Sequence, residues 1–338
     1  MPITPLTRRQ ALRASVAWAL ADALATRTAT AAPAGQTWRV GPGEALTRIA
    51  DALRRAADGD TIEVASGTYH GDVAVIRQRW LRIVGIGESP VFDADGRNAE
   101  GKAIWVVHDG DIRIENIAFR GARVPDGNGA GIRFQAGRLQ LHRCRFVDNQ
   151  MGLLTGNVAE SELVITDSEF ADAPHNPGSL PHLLYVGRIG RFSIRGSVLR
   201  RGNEGHLLKS RARTSTITGN RFDDGRDGQA SYEIDLPNGG IAEVTGNTLV
   251  QSPLTQNPVM LSYGAEGKPW DENRLTVEGN TFVNRRNEGG TFVRVWAERL
   301  PAGTPVLSQG NQLLGPGDLE LGPNGRSEGD QRGPVPAD

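Results

Sequence analysis

Cysteine is nearly absent from this 338-residue chain: Cys144 stands alone. It therefore has no intramolecular disulfide framework and no cysteine-built zinc cage. Net charge is nearly absent as well, at −1, which argues against a general nucleic-acid binder but still permits local clusters. No apolar run approaches the ~18 residues that a bilayer span needs. Glycine, by contrast, is plentiful, at 43 residues. With Leu, Ile, Val and Phe common enough for a core, the chain reads as one large, turn-rich folded domain.

The N-terminal stretch carries Arg8 and Arg9 in a Thr-Arg-Arg-x-Ala-Leu context, then a weakly apolar segment, then Ala29-Thr30-Ala31. This order resembles a twin-arginine export signal over residues 1–31, which implies a periplasmic or secreted mature protein.

The rest of the chain repeats. IRIENIAF (112–119), LQLHRCRF (139–146), LVITDSEF (163–170), FSIRGSVL (192–199), STITGNRF (215–222), AEVTGNTL (242–249) and LTVEGNTF (275–282) follow one template, and SQGNQL (308–313) is a decayed copy. Alternation at period two marks strands, and the Gly-Asn pairs mark a bend between two short ones. Stacking the copies puts Ile117, Cys144, Ser168, Ser197, Asn220, Asn247, Asn280 and Asn311 in one column. Inward amides in such a column bond to their equivalents above and below. Cys144 accordingly has a packing role.

A pentad precedes each copy: AIWVV (103–107), AGIRF (130–134), GLLTG (152–156), HLLYV (182–186), HLLKS (206–210), YEIDL (232–236), VMLSY (259–263) and TFVRV (291–295). Its spacing is too short and too poor in helix for βαβ units and indicates a solenoid of parallel sheets. The third residues, Trp105, Ile132, Leu154, Leu184, Leu208, Ile234, Leu261 and Val293, then form the core. The fourth residues, Val106, Arg133, Thr155, Tyr185, Lys209, Asp235, Ser262 and Arg294, form an outward surface column.

At the N-terminal side, GEALTRIADALRRAADGDTIEVASGTY (43–69) reads as an amphipathic helix followed by a strand, with Leu46, Ile49, Ala50, Leu53 and Ala57 on one face. Such a helix closes the first coil. The phrase DGDTIEVASGTY resembles the opening of right-handed parallel β-helix proteins of the pectate-lyase-like superfamily. The expected fold is an all-β, single-stranded right-handed parallel β-helix over residues 37–315, with an N-terminal capping helix. A loose tail is expected over 316–338, where Gly, Pro and charge dominate.

Stacking brings Tyr185, Lys209 and Asp235 onto three successive rungs ~4.8 Å apart. The second position adds Glu233, and residues just past the strands add Arg188, Arg211, Arg213 and Asn238. Between Arg188 and Arg213 there are eight basic residues and one acid, Glu204, a patch suited to drawing in an anionic ligand. Arg211 and Arg213 also disfavour a third positive charge, so Lys209 is expected as a neutral amine able to accept a proton. A solvated cross-rung ladder with no function is the plainer alternative.

These groups suit β-elimination from a uronic-acid polysaccharide. Arg211, supported by Arg213 or Arg188, neutralises the sugar carboxylate, Lys209 takes the C5 proton, and Tyr185 or His206 protonates the departing oxygen. NEGHLLKS (203–210) resembles the lysine-bearing strand of the chondroitinase B and alginate lyase family of β-helices. In that family acidic calcium ligands precede the Lys-Ser pair. The resemblance implies Glu204 as one ligand, with Gly202 where a second acid belongs, so Ca2+ is the one cofactor considered.

His182 and His206 open adjacent pentads and stack with Tyr232. In the long interruption LSYGAEGKPWDENR (261–274), Tyr263 and Trp270 are expected as sugar-stacking faces. Arg294 extends the basic column as a further binding residue. The expected partner is an anionic polysaccharide bound by a monomer. Two other classes stay open: a C5-epimerase using the same proton abstraction, and a non-catalytic envelope protein that binds acidic glycan.

Overall fold

The computed structural model describes residues 35–175, 180–255 and 257–336; residues 1–31, read as an export signal, lie outside them. Thirty-three strands and one seven-residue α-helix, Ile49–Arg55, are found among the described residues. The strands form three parallel sheets of twelve, ten and eleven strands, and successive coils add a strand to each. This is the parallel β-helix expected from the repeats. No helix among the described residues is long and apolar enough to cross a membrane.

The repeat template builds two of the sheets. Its first half forms strands such as Thr214–Thr218 and Ile241–Thr245, with alternating residues buried. Its second half forms short strands whose central residue is buried. Phe92, Phe119, Phe146 and Phe170 stack there, with ring centroids 6.2, 5.1 and 4.6 Å apart. Between the halves the chain turns through one left-handed residue. Gly196, Gly219, Gly246, Gly279 and Gly310 hold φ between 61° and 65° there, a conformation that costs glycine nothing.

The next residue starts the internal ladder. The Asn247 Oδ1 accepts from the Asn220 backbone N–H at 2.9 Å and from its side-chain amide at 3.0 Å. Asn280 does the same for Asn247, and Asn311 for Asn280. Ser168 and Ser197 serve with their hydroxyls. Cys144 sits fully buried in this column, its thiol pushed up to about 12 by burial, as a packing role requires. Replacing Asn247 by Ala removes several buried bonds at once. We expect a loss of about 3 kcal/mol by chemical denaturation, partly recovered in Asn247→Ser.

The helix packs Ile49, Ala52 and Leu53 into the core, beside Thr37–Val40 and Ala74–Ile76, the N-terminal edge strands of two sheets. The Asp72 carboxylate accepts the Ile49 N–H at 2.6 Å. Ala57, expected on the buried face, is exposed, because the helix ends at Arg55 and the chain then leaves the helical path.

Two further expectations change. Residues 316–338 do not form a loose tail as far as they are described: strands Asp318–Glu320, Gly325–Glu328 and Gln331–Gly333 add a further coil. The pentad at 152–156 is also out by one. The strand is Met151–Thr155, with Leu153 opposite Ile132 and Leu184, and Leu154 opposite Arg133 and Tyr185. Leu153 is therefore the core residue and Leu154 the outward one.

Candidate functional site

The pentad strands form the ten-stranded sheet. Leu184–Val186, Leu208–Ser210 and Ile234–Leu236 are neighbours in it, with Tyr185 opposite Lys209 and Lys209 opposite Asp235. Leu184, Leu208 and Ile234 are fully buried on the inner side, so the three polar side chains share the outer side. Outward is not exposed, however. Lys209 keeps 8% of its surface and Asp235 only 2%, because a loop folds over them.

That loop, residues 264–273, returns across the preceding coils. Gly264 and Gly267 turn it with φ of 89° and 64°. The Gly264 and Glu266 N–H groups donate to the Leu236 and Pro237 carbonyls, and the Asn238 amide donates to the Gly267 carbonyl at 2.6 Å. The Trp270 indole donates to the Arg211 carbonyl at 3.0 Å. Arg188 lies 4.1 Å from the Trp270 ring and Arg213 5.1 Å from it; Arg188 also donates to the Lys268 carbonyl.

The loop delivers Glu266, which sequence reasoning passed over. Its carboxylate takes Lys209 Nζ at 2.6 Å on one oxygen and Arg211 at 2.5 Å on the other. Arg211 also donates to the Tyr185 hydroxyl at 2.8 Å and to the Asn238 carbonyl oxygen at 2.7 Å. Burial alone would raise Glu266, but the Lys209 and Arg211 hydrogen bonds outweigh it and hold the carboxyl below its usual range. Asp235, 3.5 Å from Lys209 Nζ, is pushed up to about 6 by burial despite the Lys209 charge. Two carboxylates thus share one ammonium. The neighbour expected from the stacking, Asp235, is in place, and the expected crowding of Lys209 by Arg211 and Arg213 is offset by Glu266, which the sequence reading did not include.

Beneath this cluster the His182, His206 and Tyr232 rings pack in a row, tilted and then edge-on rather than stacked, with centroids 4.6 and 4.8 Å apart. The His182 Nδ1 accepts the His206 backbone N–H at 2.9 Å. Burial, then the nearby Lys209 and Arg211 charges, drops His182 to about 3. Burial, then His182 and Lys209, holds His206 well below its ordinary value. Both rings are therefore neutral. His206 Nδ1 lies 3.3 Å from Asp235 but makes no hydrogen bond, and the ring is 6% exposed.

Four expected residues stand elsewhere. Glu233 is fully buried inside the coil, both oxygens without a hydrogen-bond partner; the second position of its pentad turns inward, as Leu207 and Met260 do. Tyr263 is also interior, its hydroxyl donating to the Gly240 carbonyl, so it offers no face to a sugar. Arg294 lies two rungs beyond Asp235, paired with Glu320 at 3.3 Å and 4.1 Å from the Trp296 ring. Glu204 is exposed in a turn at φ 60°. No group of three or more His, Cys, Asp or Glu suited to a metal gathers among the described residues. The residues present do not fit a calcium site at Glu204.

No protein-family model and no curated protein sequence matches this chain. Among solved structures it is similar to the native GH136 lacto-N-biosidase from Eubacterium ramulus, with TM-score 0.52 and 10% identity over 89% of this chain and 68% of that one. It is also similar to PfbA, a surface adhesin of Streptococcus pneumoniae, with TM-score 0.53 and 13% identity over 84% of this chain and 85% of that one. At such identities the likeness shows the shared β-helix fold.

Proposed function

We propose that this protein is a lyase that cleaves a uronic-acid-containing polysaccharide by β-elimination at the Tyr185, Lys209 and Arg211 cluster. One observation carries the reading: a carboxylate, that of Glu266, already lies clamped between Lys209 and Arg211. A uronate carboxylate exchanging with it meets the same charge-assisted bonds. Arg211 and Asn238 then stabilise the charge that develops as the C5 proton leaves. Lys209, with Asp235 3.5 Å from its Nζ, is the group placed to take the C5 proton through its free amine. The Tyr185 hydroxyl accepts from Arg211 Nε, which leaves its own proton to give to the departing C4 oxygen. The C4–O bond breaks and a C4–C5 double bond forms. The NEGHLLKS resemblance supports this assignment, and export through the N-terminal signal fits an extracellular polymer.

A second reading has its own observation. Asp235 is pushed up while Glu266 is held down, and such divergence is how hydrolases set an acid beside a base. One experiment separates the readings: incubation with a panel of polyuronates, with and without chelator. Lysis predicts new ultraviolet absorbance from unsaturated uronate, and hydrolysis predicts reducing ends without it. Epimerisation changes sugar configuration with no chain cleavage, whereas simple binding gives retention on an acidic-glycan matrix with no product.

Glu266→Gln tests the exchange directly. Losing the resident anion is expected to lower KM for an acidic polymer about tenfold, the effect of one charge-assisted contact no longer displaced, while kcat stays near the parent's. A raised KM in that variant excludes Glu266 as the competitor.

A further inference from the structure

We infer that Arg133 forms a second anion subsite, in the cleft beside Tyr185, for another acidic group on the same ligand chain; this rests on the acidic-glycan reading above. Arg133 occupies the same outward column as Lys209, in the order Arg133, Leu154, Tyr185, Lys209. Three rungs separate the two cations, ~14 Å along the stack. Arg133 lines a cleft of ≈ 440 Å³ together with Leu154, Tyr185, His182, Asn128 and Asn157.

The other arginines on this face are committed. Arg211 has three side-chain partners, Arg188 a carbonyl and Trp270, and Arg294 has Glu320. Arg133 forms no ion pair or hydrogen bond among the described residues, and its Nε is buried without a partner. Arg133 is half-buried, and its Nε, withdrawn from water and left unpaired, carries a cost that an anion reaching it relieves. Burial also pulls its pKa down, against the opposing pull of Asp126 and Tyr185. The Asn157 Oδ1 already accepts the Arg188 N–H at 2.8 Å, so its amide N–H groups are the part left to a ligand.

Between the two cations the column carries no charged side chain of its own, only Leu154 and the Tyr185 ring, with Met151 beside them. A homopolymer acidic at every sugar would press a carboxylate against the Leu154 stretch, where no cation stands to replace its water. The arrangement selects a glycan in which neutral sugars separate the acidic ones.

Calorimetric titration of the full chain tests this, with octasaccharides of hyaluronan and heparosan, acidic at alternate sugars, and of polygalacturonate, acidic at every sugar. An alternating octasaccharide is expected to bind the parent more tightly than polygalacturonate does. Arg133→Gln is expected to weaken it about tenfold while leaving the matching disaccharide unchanged, and Arg133→Lys, which keeps the charge, to retain most of the affinity. Unchanged octasaccharide binding in Arg133→Gln, alongside weakened binding in Lys209→Gln, overturns the subsite and leaves the main reading standing. Tighter binding of polygalacturonate overturns the selectivity. Failure of the parent to bind any of the three overturns both readings.

Discussion

Lys209→Ala is expected to lower kcat at least a thousandfold on any polyuronate that the parent depolymerises, read as the rate of unsaturated product formation. The size follows from the role: a positioned proton acceptor contributes roughly 10²–10⁴-fold, and the same ammonium also meets the substrate carboxylate. The substitution has a structural side effect that the experiment must separate. Asp235 is 2% exposed and lies 3.5 Å from Lys209 Nζ, so removing the amine strands a buried carboxylate, at a cost of about 3–5 kcal/mol. The double variant Lys209→Ala/Asp235→Asn removes that stranded charge. It is expected to recover thermal stability without recovering turnover. A folded Lys209→Ala protein with parental kcat would refute the assignment.

The second large effect concerns stability. Glu233→Met is expected to stabilise the protein by about 1–3 kcal/mol near neutral pH, the scale of the penalty for a buried polar group left without a hydrogen-bond partner. Glu233 stands on the interior column between Leu207 and Met260, all three fully buried. Burial, followed by the nearby Asp224 charge, raises its carboxyl well above the ordinary value. The folded state therefore holds this proton to a higher pH than the unfolded state does. Below about pH 4, where both states are protonated, Glu233 imposes no ionisation penalty. As pH rises, the unfolded chain releases the proton first and the parent loses stability until the folded carboxyl titrates. The gain in Glu233→Met, measured by urea denaturation, should consequently grow from pH 4 toward pH 8. A gain independent of pH would mean that packing, not ionisation, sets the difference.

How much of this was legible depends on the kind of contact. The coil register was readable because apolar third positions and the Gly-Asn bends recur at every turn, so Ile234 had to lie over Leu208 and Asp235 over Lys209. The slip at 152–156 had a readable remedy. Gly131 and Gly152 occupy equivalent positions, and a Cβ on Gly152 would meet the Leu183 carbonyl at 2.2 Å; aligning the glycines restores the register. Alternation likewise puts Tyr263, a fifth-position residue, inside. Glu233 was harder, because the second position of the pentad turns inward along with the third, as Ile104, Leu207, Met260 and Phe292 do, against strict alternation. Glu266 and the cover over Lys209 were out of reach. They depend on a loop crossing coils 55 and 57 residues away in sequence, and nothing local to Lys209 encodes that path. The one hint was an acid set between Gly264 and Gly267 in the longest interruption.

The internal amide column also has a direction. Each side-chain oxygen accepts from the coil before it, and each amide nitrogen donates onward or to a strand carbonyl. Aligned dipoles reinforce one another, so the row is electrically positive toward the C-terminal end of the rod. Asp330 meets it there, taking the Asn311 backbone and side-chain N–H groups at 2.8 Å. Burial would raise that carboxyl, but hydrogen bonds from Ser327, Ser308 and Asn311 outweigh it and keep it low. A fixed anion thus terminates the row as a carboxylate complements a helix N-terminus. Lengthening the rod by duplicated coils would require carrying this terminator outward, because an apolar residue in its place ends the polarised row on unanswered donors.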